Sequence, residues 1–157
     1  MSKRITLDRL DKALLRALQN DGRATNASLA ESIRMSESAC LRRVKLLEAS
    51  GAIERYVAVV NAAAVGLPLS VVVTVSLISQ SDPVLMAFEA AVTATPEIFE
   101  CHLMTGSADY VLRAAVADAD ELERFHRVKL TRFPGVARVN SSIVMRTVVQ
   151  RQPLPLA

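Results

Sequence analysis

The period of the hydrophobic pattern changes near residue 60, and this change constrains the fold more than any other feature. Before it, apolar side chains recur at helical spacing, as Leu7, Leu14 and Leu18 do. After a connector of small residues, NAAAVGLP, the stretch Leu69–Ile78 alternates like a half-buried strand. A chain of 157 residues can hold two small domains. We therefore predict a first domain at residues 1–60, a linker at residues 61–68 and a second domain at residues 69–150.

The first domain is predicted to contain three short helices. Asp8 and Asp11 suit the first turn of the first helix, which carries Leu7, Leu10, Leu14, Leu15 and Leu18. The second helix is predicted at 27–34 with Asn26 as its N-cap, and the third at 37–50, capped by Ser36 and ended by Gly51. The segment 53–60 then reads as extended. Three helices followed by such a segment form a winged helix-turn-helix candidate.

The distribution of charged residues indicates a function for the helix-turn-helix candidate. Residues 1–60 hold 11 basic and 7 acidic residues, whereas residues 61–157 hold 8 and 9. On the third helix, Cys40, Val44 and Leu47 share one face, and Ser38, Arg42 and Lys45 lie opposite. Arginine reads guanine in the major groove, and lysine and serine suit phosphates. This pattern favours double-stranded DNA as a partner; the open alternative is a solvated charged face.

The second domain follows the order β-α-β-β-α-β, which is typical of a ferredoxin-like α+β fold. The remaining elements are predicted as a helix opened by Asp82-Pro83 and ended by Pro96, a strand at 98–105, a strand at 109–117, a helix from Asp118 or Asp120 to about Phe133, and a strand at 136–148. The final residues QRQPLPLA are expected to fray.

The outer face of the predicted sheet is apolar enough to require a partner. We place on it Val72, Ile78, Phe99 or Ile98, and Val144. A two-fold homodimer joined through the sheets would cover these side chains. It would also pair two DNA-reading heads with a palindromic operator.

Two long stretches resemble one family of bacterial and archaeal transcription regulators. The run LDRLDKALLRALQNDGRATNASLAESIRMSESACLRRVKLLEASGAIERYVAVVN is similar to the DNA-binding domain of the leucine-responsive regulatory protein/AsnC family. The run IFECHLMTGSADYVLRAAVADADELERFHRVKLTRFPGVARVNSSIVM is similar to that family's effector-binding domain. The resemblance implies regulation of genes of amino-acid metabolism or transport, and dimers that assemble further, up to octamers, at the loop 105–109.

The resemblance also implies two sets of site residues. The DNA contacts would come from Ser36, Ser38, Ala39, Arg42, Arg43 and Lys45. A free amino acid would bind between subunits, at a site formed by Met104, Thr105, Gly106, Asp109, Tyr110, Ala137, Val139 and Ser141. Met104 and Val139 are apolar and the loop has no Arg or Glu, so an aliphatic effector such as leucine or methionine is expected. Ser107 stands where leucine-responsive members often have an acid.

Other functional classes find little support. Cys101 and His102 are neighbours on a strand, so their side chains point to opposite faces and form no dyad. No zinc spacing or phosphate-binding glycine loop is present, so no enzyme activity, metal or cofactor is expected. Two cysteines without a secretion signal predict reduced thiols in the cytoplasm. The uncharged stretch 56–81 is interrupted by Asn61 and Gly66-Leu67-Pro68, which argues against a membrane span.

The sequence thus predicts a cytoplasmic transcription regulator that senses an amino acid. The alternative that remains open is a small-molecule sensor or enzyme-regulating subunit that does not bind DNA.

Overall fold

A computed structural model describes residues 5–150 and 152–156 of the chain. The chain divides into two compact units. The first contains the described residues up to Val59 together with those from Val149 onward, and the second is Val60–Val148.

Three helices, each fixed by a polar N-cap, form the first unit. They are α1 (Arg9–Asn20), α2 (Asn26–Ser32) and α3 (Glu37–Ala49). Asp8 and Asp11 cap α1 reciprocally, and Ser36 caps α3 as predicted. The prediction for α2 was wrong at both ends. The Thr25 hydroxyl, not Asn26, accepts from the Ser28 N–H (3.1 Å), and the left-handed backbone of Arg34 (φ 56°) lies beyond the helix end.

The predicted apolar stripe of α1 and that of α3 meet in one core. Leu14 and Cys40 are fully buried, and Leu7 and Leu18 pack at the edge of the cluster. Leu10 is an exception, since 36% of it is exposed. The buried members are Leu14, Leu15, Leu29, Ala30, Cys40, Val44 and Leu47.

The segment after α3 leaves the helical core. Ile53 packs against that core, but residues 54–60 are exposed and belong to no strand in the described part of the chain. A strand requires a neighbouring backbone that offers N–H and C=O groups, and among the described residues no backbone group bonds to residues 54–60. The segment that we predicted as extended, and as a candidate wing, is therefore unpaired within the described residues.

The second unit confirms the ferredoxin-like prediction. Its elements are a 3-10 turn (Ala63–Val65), β1 (Leu69–Leu77), α4 (Asp82–Thr93), β2 (Ile98–Leu103), β3 (Tyr110–Val116), α5 (Ala119–Val128), a second 3-10 turn (Leu130–Arg132) and β4 (Val136–Ile143). The strands form one antiparallel sheet in the order β2-β3-β1-β4. The two centre strands, β1 and β3, alternate buried and half-buried residues along their length.

One face of the sheet forms the core with the helices. Val73 of β1 lies opposite Leu112 of β3 and Ser141 of β4, so these three side chains point to the same face. Phe88 of α4 and Phe125 of α5 are buried in the same cluster. The buried members are Val71, Val73, Val75, Phe88, Val92, Tyr110, Leu112, Ala114, Val116, Phe125 and Leu130.

The other face is not covered by any element of the second unit. Val72 points to this face opposite Arg113 and Ser142 and is half-buried. Phe99 is 50% exposed, and the Arg113 guanidinium lies 5.1 Å from its ring centroid. Ile98, the predicted alternative to Phe99, packs against the core instead. Ile78 lies beyond the end of β1 and is 72% exposed.

Both outer strands pair irregularly with the centre. The register shifts between Ile98 and Glu100 in the β2–β3 pair, and between Ser76 and Leu77 in the β1–β4 pair. The β1–β3 pair runs without a shift from Leu69–Val116 to Val75–Tyr110. The regular ladder therefore lies at the centre of the sheet.

Three predictions of element length or order near the C-terminus were wrong. β4 was predicted to reach Val148 but stops at Ile143, since its partner β1 begins at Leu69. The helix predicted to reach Phe133 ends at Val128 and is followed by the second 3-10 turn. The expectation of a frayed tail was also wrong, because residues 152–156 contact α1.

Candidate nucleic-acid interface and effector loop

The polar face of α3 is exposed, as the sequence predicted. Ser38, Arg42 and Lys45 are exposed, whereas Cys40 and Val44 on the opposite side are buried. Burial raises the pKa of the Cys40 thiol, which keeps it protonated and unreactive. The helix thus combines a fixed apolar side with a face that offers hydroxyl, guanidinium and ammonium donors.

Two further predicted contact residues lie at the start of α3. The Ser36 hydroxyl accepts a hydrogen bond from the Ala39 N–H (3.3 Å) and lies 3.4 Å from the Ser38 hydroxyl. Ala39 is half-buried. Ser36 therefore holds the helix start in place, and its lone pair toward Ala39 is occupied.

Arg43 is held in ion pairs, whereas the neighbouring Arg42 side chain is exposed. Its Nη1 donates to Asp8 Oδ2 and to Asp11 Oδ1, both at 2.7 Å. These are the carboxylates of the capping box that starts α1. The Asp11 N–H bond and then the Arg43 guanidinium hold the pKa of Asp8 below its usual value, and the two carboxylates raise the pKa of Arg43. Arg43 therefore ties α3 to α1 through its Nη1 atom.

The loop between β2 and β3 is open in the single chain. Met104 is 46% exposed, and Thr105 and Gly106 are exposed as well. Gly106 has φ 123°, a backbone conformation that favours glycine, and a Cβ built on it would meet nothing within 4 Å. The Met104 N–H donates to the Asp109 carbonyl (2.8 Å) and closes the hairpin.

Asp109 is the residue that fixes this loop to the sheet. Its carboxylate accepts from the Leu77 N–H (Oδ2, 2.6 Å) and from the Gln80 amide (Oδ1, 2.5 Å), and its own N–H donates to the Val75 carbonyl (2.9 Å). Sequence reasoning missed Gln80, because no local signal links it to a residue 29 positions away. The carboxylate of this predicted effector-site residue is thus engaged in positioning the loop.

Tyr110 belongs to the core of the unit. It is buried against Phe88, with ring centroids 4.6 Å apart, and its hydroxyl donates to Glu89 Oε1 (2.7 Å). Burial and then Glu89 raise its pKa. This side chain anchors the end of the loop in the core of the unit and does not point toward solvent.

The three β4 residues lie two strands away from the loop. Val139 pairs with Val75 on one side of β1, while Asp109 bonds to Val75 from the other side. Two strand spacings amount to about 10 Å. Ala137 is exposed, and Ser141 Oγ lies 3.1 Å from His126 Nδ1 of α5. A single chain therefore does not bring Ala137, Val139 and Ser141 against the loop.

The two neighbouring residues that were considered as a catalytic dyad point in opposite directions. Cys101 lies opposite Leu112 and His102 opposite Val111, so they occupy opposite faces of the sheet. Burial raises the pKa of the Cys101 thiol. Among the residues that the structure describes, no group of three His, Cys, Asp or Glu side chains is placed to hold a metal, and no helix is long and apolar enough to cross a membrane.

Comparison with protein families accounts for both units. Residues 7–48 match the AsnC-type helix-turn-helix domain, and residues 70–154 match the Lrp/AsnC ligand binding domain. The leucine-responsive regulatory protein of Haemophilus influenzae is 38% identical over 96% of this chain and 90% of its own length. The Bkd operon transcriptional regulator of Pseudomonas aeruginosa is also 38% identical, over 96% of this chain and 98% of its own.

Solved structures agree with these matches. A transcriptional regulator from Neisseria meningitidis, crystallised with L-Met, superimposes with a TM-score of 0.91 at 35% identity, over 96% of this chain and 97% of that one. An AsnC family regulator from Agrobacterium tumefaciens has a TM-score of 0.88 at 32% identity, over 95% and 97% of the two chains. With its helix-turn-helix unit, its ferredoxin-like unit and these relatives, the chain belongs to the Lrp/AsnC family of transcription regulators.

Proposed function

We propose that this chain reads a palindromic DNA operator as a homodimer and that a free aliphatic amino acid modulates this activity. The observation that carries the DNA-binding part is the exposed face of α3, with Ser38, Arg42 and Lys45 opposite a buried apolar side. The DNA-reading domain is assigned to residues 1–60, the linker to 61–68 and the effector domain to 69–150. No catalytic role is assigned, and the cytoplasm is the proposed location.

The surroundings of each side chain support different roles for the residues predicted to contact DNA. Arg42 and Lys45 are the cations we assign to the DNA, with Ser38 beside them. Ser36 and Ala39 lie at the helix N-terminus, a part of a helix that suits a phosphate, and the Ala39 N–H itself is held by the Ser36 hydroxyl. Arg43 acts as a positioning residue, since its guanidinium is held by Asp8 and Asp11.

Selection of duplexes from a random library by the full-length protein tests this proposal. The selected sequence should be a palindrome, since a two-fold dimer presents two α3 helices. Binding to it should weaken steeply with salt, because Lys and Arg displace counterions from phosphates. Selection of no sequence, with binding that salt leaves unchanged, would contradict the proposal.

Self-association is proposed to use the uncovered face of the sheet. This face carries Val72, Phe99 and Val144, with Arg113 across the Phe99 ring. Exposed apolar side chains grouped on one face of a sheet are typical of an association surface. Face-to-face packing of two such sheets buries it. Assembly beyond the dimer, up to an octamer, is assigned to the loop 105–109.

The effector proposal rests on the loop and on one relative. Met104, Thr105 and Gly106 form an open surface that a second copy, through its Ala137, Val139 and Ser141, would convert into a closed site. The Neisseria regulator was crystallised with L-Met, and the exposed Met104 side chain suits methionine or leucine, whereas Val139 packs against the core of its own unit. Asp109 and Gln80 are assigned to shaping the loop, with the Gln80 amide oxygen left as an acceptor for an ammonium group.

Isothermal titration with methionine and leucine tests the effector site. Gly106→Arg fills the space in front of the loop and should abolish the heat of binding while leaving DNA binding intact. Asp109→Asn keeps one acceptor for the Leu77 N–H and should weaken binding less than Asp109→Ala, which frees the loop. Heat from Gly106→Arg equal to that of the wild type would place the ligand elsewhere.

A further inference from the structure

The last described residues of the chain form part of the DNA-binding unit. The Leu154 N–H donates to Gln19 Oε1 of α1 (2.6 Å), and the Arg16 guanidinium donates to the Leu156 carbonyl. The Leu156 side chain packs against the helical core, whereas the Leu154 side chain is 72% exposed. We call residues 152–156 the strap.

The strap gives the two units a second connection, which consists of the backbone that follows β4 and the non-covalent contacts of the strap with α1. The chain leaves the first unit after Val59 and returns to it at Val149. It returns directly from β4, which ends at Ile143 and carries the candidate effector residues Ala137, Val139 and Ser141. The eleven Cα–Cα steps from Ile143 to Leu154 span at most about 40 Å. Pro153 and Pro155 restrict the backbone of the strap, so docking it costs less entropy than docking a flexible peptide would.

We propose that the strap is a second tether that limits the orientations open to the DNA-binding unit and so strengthens binding to two half-sites at once. A head held by two connections loses less freedom when it binds DNA than a head held by one. The effective concentration of the second head at its half-site is correspondingly higher. The proposal rests on the two-headed assembly proposed above. It assigns the Arg16–Gln19 surface of α1 as the docking site for the chain's own residues 152–156.

Two leucines in the strap provide a matched pair of variants. Leu156→Ala removes a packed side chain, and Leu154→Ala removes an exposed one and keeps the backbone N–H that bonds Gln19. Hydrogen exchange of the full-length protein should show faster exchange in α1 for Leu156→Ala, by roughly fivefold or more, and no change for Leu154→Ala. Equal exchange in the two variants would overturn the docking itself.

Binding to a selected duplex with two half-sites, and to a duplex with one, tests the tether. Leu156→Ala should bind the two-site duplex roughly 3- to 10-fold more weakly and the one-site duplex as well as the wild type does. An equal loss on both duplexes would mean that the strap supports the fold of the head, and no loss on either would mean that it restrains nothing. Each result overturns the tether. If the two-headed assembly proposed above does not form, the wild type itself would bind the two-site and one-site duplexes equally well. That result is distinguishable from failure of the tether, in which the wild type still prefers the two-site duplex.

Discussion

At the scale of single residues, two adjacent arginines on α3 have different surroundings. The Arg42 side chain is exposed, while Arg43 bonds to both carboxylates of the α1 capping box. Neighbouring side chains of the same type on one helix can therefore differ in the partners that they bind. The position of a neighbouring helix start decides which cation is available to an outside partner.

The variants Arg42→Ala and Arg43→Ala should separate DNA binding from stability. Arg42→Ala should weaken operator binding by about 1–3 kcal/mol if Arg42 contacts a base, and leave the thermal midpoint unchanged. Arg43→Ala should lower the midpoint by roughly 2 °C, because it removes two partly exposed ion pairs that join α3 to α1. Filter binding and calorimetry measure the two effects. A lower midpoint in Arg42→Ala with none in Arg43→Ala would reverse the assignment.

The pH dependence of stability should depend on Asp8. Its folded-state pKa lies below its unfolded value, chiefly because its carboxylate accepts the Asp11 N–H and then because Arg43 bonds to it. The stabilisation is therefore fully present above about pH 4 and is lost as the pH falls through the lower folded-state pKa. Asp8→Asn keeps the cap without the charge. Acid titration followed by circular dichroism should give a shallower loss below pH 4 for this variant than for the wild type, and parallel curves for the two proteins would contradict the linkage.

At the scale of elements, most of the fold could be predicted because its signals are local. The caps at Asp8 and Ser36 and the alternation of β1 lie within a few residues of the structures they specify. The end of β4 could not be predicted, since it depends on where β1 starts, more than 60 residues earlier. The pairing of residues 53–60 could not be predicted for the same reason, because a strand is defined by its neighbour and not by its own composition.

The candidate sites were predicted less well than the elements that carry them. The exposed face of α3 followed from its periodicity, but nothing near Arg43 in the sequence indicates Asp8 and Asp11 as its partners. In the loop, the pattern identified Asp109 but not the bonds from Leu77 and Gln80 that occupy its carboxylate. Residue type predicts chemistry, whereas long-range contacts decide whether that chemistry is free to act.

The turn before β4 provides a test of close packing between elements. Gly135 has φ 73°, and a Cβ built on it would lie 2.4 Å from Val84 Cγ1 at the start of α4. Gly135→Ala should therefore lower the free energy of unfolding by about 1–3 kcal/mol beyond the backbone cost. Gly66→Ala is the matched control, since Gly66 also has positive φ (83°) but open space.

Urea denaturation of three variants separates the two contributions. The difference between Gly135→Ala and Gly66→Ala reports the steric clash. The double variant Gly135→Ala/Val84→Ala should recover much of that difference, because it shortens the side chain that the new Cβ meets. If the two single variants lose equal stability, Val84 does not constrain the turn.

At the scale of the whole molecule, the uncovered face of the sheet predicts the oligomeric state. Val72 lies on a centre strand between Arg113 and Ser142, so a charge there would be buried in a face-to-face dimer. Light scattering should give at least twice the chain mass of 17.0 kDa for the wild type and a smaller mass for Val72→Glu. Met86→Glu, on the exposed side of α4, should leave the mass unchanged. A wild-type monomer at micromolar concentration would contradict the sheet-joined assembly.

The irregular pairing of the two outer strands bears on solubility. An edge strand with a flat, regular backbone is a template on which further chains can add, and such growth ends in aggregation or amyloid. Here the register shift at Phe99 lies in the β2 edge, and that at Ser76 lies where β4 joins the sheet. Bulged edges bend away from a straight ladder and resist addition of a new strand. The dimer proposed above would thus form through the face of the sheet, while the bulged edges would oppose growth into fibres.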